Sequence, residues 1–344
     1  MHFVMHLIHV QQKRCGIKML LTVKDLTIKL MTASGSAEAV RNLSFELEQG
    51  EILGIAGESG SGKTMTALSI LGLLPYKGKA SGSIIFNNRE LIKFNQKQYR
   101  EIRGKEVAMV FQDPMTSLHP MLTVQVQLTE HMRHHNSISK AGAREQALKL
   151  LDTVKIPDPV SALNSYPSQF SGGMRQRIAI AMALACEPKL LIADEPTTAL
   201  DVTVQAGILK LLDQLRKERK LSVIVITHDL GVLSALTDRI LIMYAGSEVE
   251  SGFTKEVLQS AKHPYTRGLI EALPDSEGDG KHLLAISGMP PELGKFPTGC
   301  AFHPRCNFAK NQCKEVASKV LESASKQRIF CAINPFSLIS KEIN

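Results

Sequence analysis

Residues 52–64 of this chain read ILGIAGESGSGKT, a short aliphatic strand that runs directly into a loop rich in glycine and serine. The loop matches the pattern G-x-x-x-x-G-K-[ST] in full, with Gly57, Glu58, Ser59, Gly60, Ser61, Gly62, Lys63 and Thr64. In such a loop the backbone N–H groups turn toward phosphate oxygens, and the N-terminus of the following helix adds partial positive charge. The lysine reaches the β- and γ-phosphates, and the threonine hydroxyl ligates Mg²⁺. Because an apolar helix is predicted from Thr64 to Leu74, we interpret residues 57–64 as a phosphate loop that binds a nucleoside triphosphate.

Strands and helices alternate along most of the chain. Continuous aliphatic runs at residues 189–193, 222–227 and 240–244 are typical of strands covered on both faces, and residues 203–219 have a helical pattern. Residues 20–56 alternate apolar and polar positions, as β structure does. This order predicts an α/β fold with a mostly parallel sheet.

Two of the predicted strands end in groups that suit nucleotide chemistry. Asp194 and Glu195 follow the strand at residues 189–193, and His228 follows the strand at residues 222–227. Ligands of open α/β sheets bind at the carboxyl ends of the strands. We therefore expect Asp194 to hold Mg²⁺ through water, Glu195 to polarise a water that attacks the γ-phosphate, and His228 to bond that phosphate.

The composition excludes several classes of protein. A chain of 344 residues has room for about two domains. Its six cysteines are too few for a disulfide-dense secreted scaffold. Its apolar runs are shorter than the ~18 residues that a membrane-spanning helix needs. The formal net charge of +8 permits an anionic partner such as a nucleotide, a nucleic acid or a lipid surface, without choosing among them.

Two segments fall outside the predicted α/β domain. Residues 1–18 lack a leading positive charge and a small-residue cleavage site, so a signal peptide is not expected. Met19 opens a segment that alternates like a strand, so we expect Met19 to be the true start and the preceding residues to be a mis-called extension or a disordered tail. After about residue 250, glycine and proline become more frequent and sheet-like runs stop. We therefore predict an ATPase domain over residues 19–250 and a separate extension over residues 251–344.

Further motifs follow one another in a fixed order. They are VFQDPMTSL at residues 110–118, SGGMRQR at 171–177, DEP at 194–196 and ALD at 199–201. Together with the phosphate loop and His228, they make the chain resemble the ABC-type ATPases from about residue 20 to 335. The segment HPYTR at residues 263–267 and the cysteines of the tail resemble the C-terminal extension of the peptide and nickel branch. The chain is thus most similar to the ATP-binding subunits of bacterial dipeptide/oligopeptide importers.

The resemblance implies roles for residues that the pattern alone does not explain. Ser171, Gly172 and Gly173 would form a second anion site, which closes over the γ-phosphate held by the phosphate loop of a partner subunit. Gln112 would contact the Mg²⁺ or the attacking water, and Asp201 would link the two sites across the dimer. The predicted catalytic residues are then Gln112, Glu195 and His228, and the predicted Mg²⁺ ligands are Thr64, Gln112 and Asp194.

The resemblance also implies a fold and a function. The fold is a P-loop ABC-type ATPase with a mostly parallel core sheet, an antiparallel β subdomain, a helical insert at about residues 113–170 and a small C-terminal extension. The function is ATP hydrolysis coupled to import of peptides, on the cytoplasmic face of the inner membrane. The expected partners are a second ABC ATPase, identical or related, two permease subunits and, indirectly, an extracytoplasmic solute-binding protein.

Other functions stay open at this point. One alternative is a soluble ABC-type ATPase that acts on nucleic acid, which the net charge of +8 would suit; the resemblance favours a chain with no nucleic-acid partner. Another is an importer of nickel or of glutathione-like substrates. The family's aromatic residue that stacks on adenine is expected near Leu30 and Met31, and neither is aromatic.

Four cysteines of the tail, Cys300, Cys306, Cys313 and Cys331, have the spacing C-x₅-C-x₆-C-x₁₇-C. Clustered thiols of a cytosolic protein are more often metal ligands than disulfides. Structural zinc sites usually contain short C-x₂₋₄-C pairs, which this spacing lacks, whereas four thiolates also suit an iron–sulfur cluster. Because the resembling branch is associated with a [4Fe–4S] cluster, that cluster ranks first, zinc second and metal-free thiols third. The role of the cluster would be structural. Cys186 lies on a predicted apolar helix and is interpreted as a small buried hydrophobe.

Overall fold

A computed structural model of the chain describes residues 18–33, 35–113, 117–198, 200–273, 286–315, 320–322, 327–333 and 335–337. The predicted N-terminal tail up to residue 17, residues 114–116 of the glutamine segment and Ala199 lie outside the described residues.

Strands and helices alternate as the sequence predicts. The strands are β1 (Met19–Thr32), β2 (Gly35–Glu48), β3 (Ile52–Ala56), β4 (Lys79–Phe86), β5 (Arg89–Glu90), β6 (Val107–Val110), β7 (Leu190–Asp194), β8 (Ser222–Thr227), β9 (Arg239–Tyr244), β10 (Ser247–Phe253), β11 (Val320–Glu322) and β12 (Arg328–Phe330). The helices are α1 (Lys63–Ile70), α2 (Gln96–Ile102), α3 (Val124–Asn136), α4 (Lys140–Thr153), α5 (Pro159–Asn164), α6 (Gly172–Leu184), α7 (Val202–Arg219), α8 (Leu230–Leu236), α9 (Thr254–Gln259), α10 (Pro264–Glu271) and α11 (Gln312–Glu315).

The main sheet has the strand order β11-β12-β10-β9-β3-β8-β7-β6. Its strands from β9 to β6 are parallel to one another, whereas β10, β11 and β12 are antiparallel to their neighbours. A second, antiparallel sheet has the order β2-β1-β4-β5. The expectation of an α/β fold with a mostly parallel core sheet and an antiparallel β subdomain is confirmed.

The parallel strands are buried on both faces, which explains their continuous aliphatic sequence. Along β8, Val223 and Val225 pack into one hydrophobic core, and Ile224 and Ile226 pack into another. The first core also contains residues of α3, α4, α5 and α6, and the second contains residues of α1 and of the antiparallel sheet. Alternate side chains of one strand therefore pack on opposite faces of the sheet, one face against the helices and the other against the β subdomain.

The first helix is shorter than predicted. It ends at Ile70, with Leu71 as its C-cap, instead of continuing to Leu74. Gly72 follows with a φ of +61°, a left-handed conformation that no helix continues through. Gly72 therefore terminates the helix before Pro75 is reached.

The expectation that sheet-like runs stop after residue 250 is wrong. Strand β10 runs through residue 250, and β12 pairs with it as the next strand of the main sheet. Arg328 of β12 is 2.8 Å from the buried Glu248 of β10, and Gln327 donates a hydrogen bond of 2.6 Å to Glu250. Strands of three residues are too short to show a period of two, so the sequence pattern does not reveal them.

None of the helices in the described ranges combines the length and the hydropathy that crossing a membrane requires.

An aromatic cluster joins the C-terminal extension to the core. The ring of Phe302 lies 5.2 Å from Tyr244 of β9 and 5.3 Å from Tyr265 of α10, and its side chain is 3% exposed. Contacts between aromatic rings at these distances add to the free energy of burying the rings.

We expect Phe302→Ala to destabilise the fold strongly, because it leaves a cavity among buried rings. The loss in free energy of unfolding should be about 3–4 kcal/mol, measured by urea denaturation. Phe308→Ala is the matched control, since Phe308 also contacts a ring but is 45% exposed. Equal losses for the two variants would show that the cluster does not anchor the extension.

Candidate functional site

Four chemically distinct segments meet where adjacent parallel strands end. The phosphate loop follows β3, His228 follows β8, Glu195 follows β7, and Gln112 lies two residues beyond β6. These strands are neighbours in the order β3-β8-β7-β6, and their carboxyl ends lie at one edge of the sheet. That edge is where open α/β sheets bind ligands.

The phosphate loop has the glycine geometry that its motif requires. Gly57 has a φ of +149°, and a Cβ there would lie 2.1 Å from the carbonyl oxygen of Met243. Gly62 has a φ of +99°, and a Cβ there would lie 2.7 Å from the carbonyl oxygen of Ala39. Gly62 is also the N-cap of α1 and forms no side-chain cap, so the first N–H groups of the helix stay available for an anion.

Lys63 is buried inside the loop and bonds its backbone. Its Nζ donates to the carbonyl oxygens of Gly57 at 2.7 Å and Glu58 at 2.9 Å. Burial lowers the pKa of Lys63, and the nearby carboxylates of Glu195, Asp194 and Glu58 oppose that shift. The ammonium is therefore held by acceptors that a polyphosphate can replace.

Thr64 and Asp194 are directly joined. The hydroxyl of Thr64 donates to Oδ2 of Asp194 at 2.8 Å. Burial raises the pKa of Asp194, and this hydrogen bond partly offsets the rise. Two oxygens of the type that Mg²⁺ prefers thus lie side by side at the start of α1.

Glu195 is the point at which the other predicted catalytic residues converge. Its Oε2 accepts hydrogen bonds from Nε2 of Gln112 at 2.9 Å and from the hydroxyl of Thr198 at 2.8 Å. Its Oε1 lies 3.1 Å from Nδ1 of His228. Burial alone would raise the pKa of Glu195, but the bonds from Thr198 and His228 outweigh it, so the pKa lies below its usual value.

The backbone of Glu195 is strained in a way that aims its carboxylate. Its φ is +47°, a left-handed conformation that costs an ordinary residue roughly 1–2 kcal/mol. The N–H of Glu195 donates to the carbonyl oxygen of Ile226 at 2.7 Å, which ties the turn to the neighbouring strand. Strain of this kind is found where a side chain must point into a site.

The segment at residues 171–173 lies apart from this group. Ser171 is the N-cap of α6, and its hydroxyl accepts from the N–H of Met174 at 3.4 Å. Ser171 and Gly172 are exposed, and no hydrogen bond within the described ranges joins residues 171–173 to the phosphate loop. Asp201 caps α7 by accepting from the N–H of Val204 at 2.9 Å, and Val204 lies against Gly173.

Three residues of the site carry no signal in the sequence that would place them there. Thr198 follows the acid pair closely, but it belongs to no sequence motif that indicates a role in the site. Tyr265 and Arg305 belong to the segments of the extension that carry the resemblance, but nothing in the sequence places them at the phosphate loop. In the structure both contact Glu58.

The four cysteines of the tail line one small cavity together with His263, Pro264, Phe302, His303, Ala332 and Ile333. Burial, together with Cys300, Cys331 and Cys313 nearby, raises the pKa of the Cys306 thiol to about 11. No disulfide links the cysteines within the part of the chain that the structure describes. In that same part, no group of three or more His, Cys, Asp or Glu side chains is arranged to hold a single metal ion. Cys186 is buried as predicted, at 8% exposure.

Comparison with known proteins identifies two family profiles. One is described as ABC transporter and matches residues 40–198. The other is described as the C-terminal region of oligopeptide/dipeptide transporters and matches residues 249–313. The two matches together cover the phosphate loop, the acid pair and three of the four tail cysteines.

Curated relatives resemble the chain over nearly its whole length. The oligopeptide transport ATP-binding protein OppD of Salmonella typhimurium is 46% identical over 316 residues, which is 92% of this chain and 94% of that protein. The dipeptide transport ATP-binding protein DppD of Bacillus subtilis is 50% identical over 288 residues, covering 83% of this chain and 86% of that protein. The chain belongs to the ATP-binding proteins of oligopeptide and dipeptide ABC transporters.

Solved structures agree with the fold of this ABC transporter ATPase. The ATP-binding cassette MJ0796, in a dimeric post-hydrolysis state bound to ADP and Pi, superposes with a TM-score of 0.62 and 28% identity. The match covers 68% of this chain and 99% of that cassette. The cassette fold is thus shared, and the remainder of this chain is additional to it.

We expect Thr198→Val to move the acidic limb of the ATPase pH profile to higher pH. The hydroxyl of Thr198 stabilises the ionised form of Glu195, so its removal raises the pKa of that carboxyl. A carboxylate that must be ionised to act loses activity as pH falls through its pKa, and it then does so at a higher pH. The measurement is kcat/KM for ATP against pH, with Thr197→Val as the neighbouring control. An unmoved acidic limb would show that ionisation of Glu195 does not govern the rate.

Proposed function

We propose that this chain binds and hydrolyses ATP as a peripheral subunit of an importer of oligopeptides or dipeptides. The observation that carries the proposal is the presence in one chain of both matches: the ABC transporter cassette and the oligopeptide/dipeptide C-terminal region. The relatives described above are transport ATP-binding proteins, and this chain matches them over most of their length. Only the net charge of +8 favours the alternative of an ATPase that acts on nucleic acid.

The phosphates of ATP bind at the loop between β3 and α1. Lys63 leaves the carbonyl oxygens of Gly57 and Glu58 and bonds phosphate oxygens in their place, because its ammonium is already aimed into the loop. The free N–H groups at the start of α1 bind the same anion. Both contacts are electrostatic, and they stabilise the negative charge of the phosphates, which shifts during phosphoryl transfer.

The residues present fit a magnesium ion next to this phosphate site. Thr64 and Asp194, which bond each other, would hold the ion. Gln112 bonds Glu195, the residue that follows Asp194. When bound, the ion neutralises phosphate charge. Asp194 is raised in pKa by burial, so a neighbouring cation also stabilises its ionised form.

Glu195 serves as the residue that orients the attacking water. Its two oxygens are held by three separate donors, so the direction of the carboxylate is set before ATP arrives. Its low pKa keeps it ionised, and an ionised carboxylate accepts a hydrogen bond from water. His228 and Gln112 act as positioning groups around it, because both bond its carboxylate.

Hydrolysis requires a second ATPase subunit, identical or related. Ser171, Gly172 and Gly173 open a helix with an exposed anion-binding end that is not bonded to this chain's own phosphate loop. A site of this kind is completed when it faces the loop of another cassette. The MJ0796 cassette, which is dimeric in its post-hydrolysis state, supports the same arrangement.

An apolar groove of about 250 Å³ beside Gln112 is a suitable docking surface for a permease subunit. Its lining includes Leu71, Met109, Phe111 and Met182, which come from the ends of α1 and β6 and from α6. Phe111 is 42% exposed and directly precedes Gln112. Movement of a permease segment in this groove therefore reaches Glu195 through Gln112, which couples transport to hydrolysis.

The decisive experiment measures uptake of a labelled dipeptide and a labelled tetrapeptide by membrane vesicles that contain the complete transporter. The wild-type complex should show ATP-dependent uptake. The Glu195→Gln complex should still bind ATP but should hydrolyse it at least about a hundredfold more slowly, because the variant lacks the carboxylate that orients water. Uptake should then be blocked. Glu218→Gln is the matched control, since Glu218 lies on the exposed end of α7. If the wild-type complex takes up neither peptide in an ATP-dependent way, the proposed substrate class is wrong.

We further propose that the four tail cysteines hold a [4Fe–4S] cluster with a structural role. They line one cavity although they are spread over 32 residues of sequence, which supports a shared ligand. A structural zinc site holds its thiolates about 2.3 Å from one ion and usually contains short C-x₂₋₄-C pairs, which this spacing lacks. A cluster of four irons binds thiolates that are farther apart, and it would cross-link a segment with little regular structure.

Protein purified without oxygen should be brown and contain about four irons per chain. Cys306→Ser should lose the colour and most of the iron, whereas Cys186→Ser should keep both, because Cys186 lies just beyond α6 and does not line the cavity. Iron analysis and visible absorption check this prediction. One zinc per chain, or protein free of metal, would contradict the assignment.

A further inference from the structure

Arg305 of the C-terminal extension reaches the phosphate loop and is completely engaged there. Its side chain is 7% exposed, and Nη1 and Nη2 form a two-point ion pair with Glu58 at 2.7 and 3.1 Å. Nε donates to the carbonyl oxygen of Ser287 at 2.9 Å, Nη1 also to the hydroxyl of Tyr244 at 3.3 Å, and Nη2 to the carbonyl oxygen of Ile286 at 3.4 Å. All the N–H directions of the guanidinium thus have an acceptor, which fixes its position.

Glu58 in turn has four hydrogen-bond partners. Its carboxylate bonds Arg305, its N–H donates to the hydroxyl of Tyr265 at 2.9 Å, and its carbonyl oxygen accepts from Lys63 and from the N–H of Ser61. Two of these four partners belong to the segment after residue 250. The second residue of the phosphate loop is therefore positioned by the extension as much as by the cassette.

The charge of Glu58 gives this contact a consequence for nucleotide binding. A carboxylate in a phosphate loop repels a polyphosphate and attracts the lysine that should bind it, and Glu58 does act on Lys63 in this sense. The guanidinium of Arg305 neutralises Glu58 and holds its carboxylate by a fork that lysine cannot reproduce. The side chain of Glu58 is 24% exposed, and within the described ranges Arg305 is the cation that forms an ion pair with it.

We propose that Arg305 is a positioning residue of the nucleotide site, which acts through Glu58 to keep the phosphate loop receptive to ATP. The C-terminal extension then contributes to ATP affinity and not only to attachment of the tail. The inference rests on the proposed function only in that ATP binds at residues 57–64. It is independent of the substrate that the importer carries.

The test compares Arg305→Met, Glu58→Gln and the double variant in the full-length protein. Arg305→Met should weaken Mg-ATP binding on the order of tenfold, because an unpaired carboxylate then faces the phosphates, and kcat at saturating ATP should change less than about twofold. Glu58→Gln removes that carboxylate, so the double variant should regain ATP affinity to within about twofold of wild type. Dissociation constants by equilibrium dialysis and kcat and KM in the assembled transporter provide the readouts.

Arg328→Met is the matched control for a purely structural effect. Arg328 also anchors the extension by a contact to a buried glutamate and to a backbone carbonyl, but it lies on β12 and bonds Glu248 instead of the phosphate loop. It should leave ATP affinity unchanged even where it lowers the melting temperature. Should Arg305→Met fail to fold, Arg305→Lys with and without Glu58→Gln replaces it, since it keeps a charge but loses the fork.

Unchanged ATP affinity in Arg305→Met would overturn the inference, and so would a loss that Glu58→Gln does not restore. Lys63→Ala separates this failure from failure of the proposed function. If Lys63→Ala binds ATP as wild type does, the phosphate-loop assignment itself is wrong. If Lys63→Ala loses ATP while Arg305→Met retains it, only the role of Arg305 is wrong.

Discussion

Parallel pairing of β3, β8, β7 and β6 is the constraint on which the rest of the molecule depends. Because the four strands run in one direction, the segments that follow them meet at one edge, although they are separated by up to about 170 residues of sequence. Parallel strands need crossover connections, and the helices that supply them cover both faces of the sheet. The site and the two hydrophobic cores are thus consequences of the same arrangement.

Within the site, the balance of charge determines how each group can act. Lys63 is surrounded by the carboxylates of Glu58, Asp194 and Glu195, and each of them has its own hydrogen-bond donor. Thr64 donates to Asp194, and Glu195 accepts from Gln112, Thr198 and His228. The carboxylates therefore stay in place without using the lysine, whose ammonium remains available for phosphate.

Sequence predicted the parts of this structure that repeat a local pattern. The phosphate loop, the buried strands and the residues at their ends follow from spacing and hydrophobic runs, and the main helices lie within a few residues of their predicted bounds. What could not be predicted depends on contacts between distant segments. The left-handed turns at Gly72 and Glu195, and the addition of β12 to the main sheet, leave no signal in a short window of sequence.

The contact between Arg305 and Glu58 illustrates why such features carry function. The two residues are 247 positions apart, and they meet because β10 and β12 extend the main sheet while Phe302 packs against both Tyr244 and Tyr265. The segment that lines the cysteine cavity continues directly from this contact, since Cys306 follows Arg305. Whatever holds Cys306 in place therefore also limits where the guanidinium can lie. By this geometry the C-terminal extension contacts the phosphate loop directly, although the sequence presents it as a separate segment.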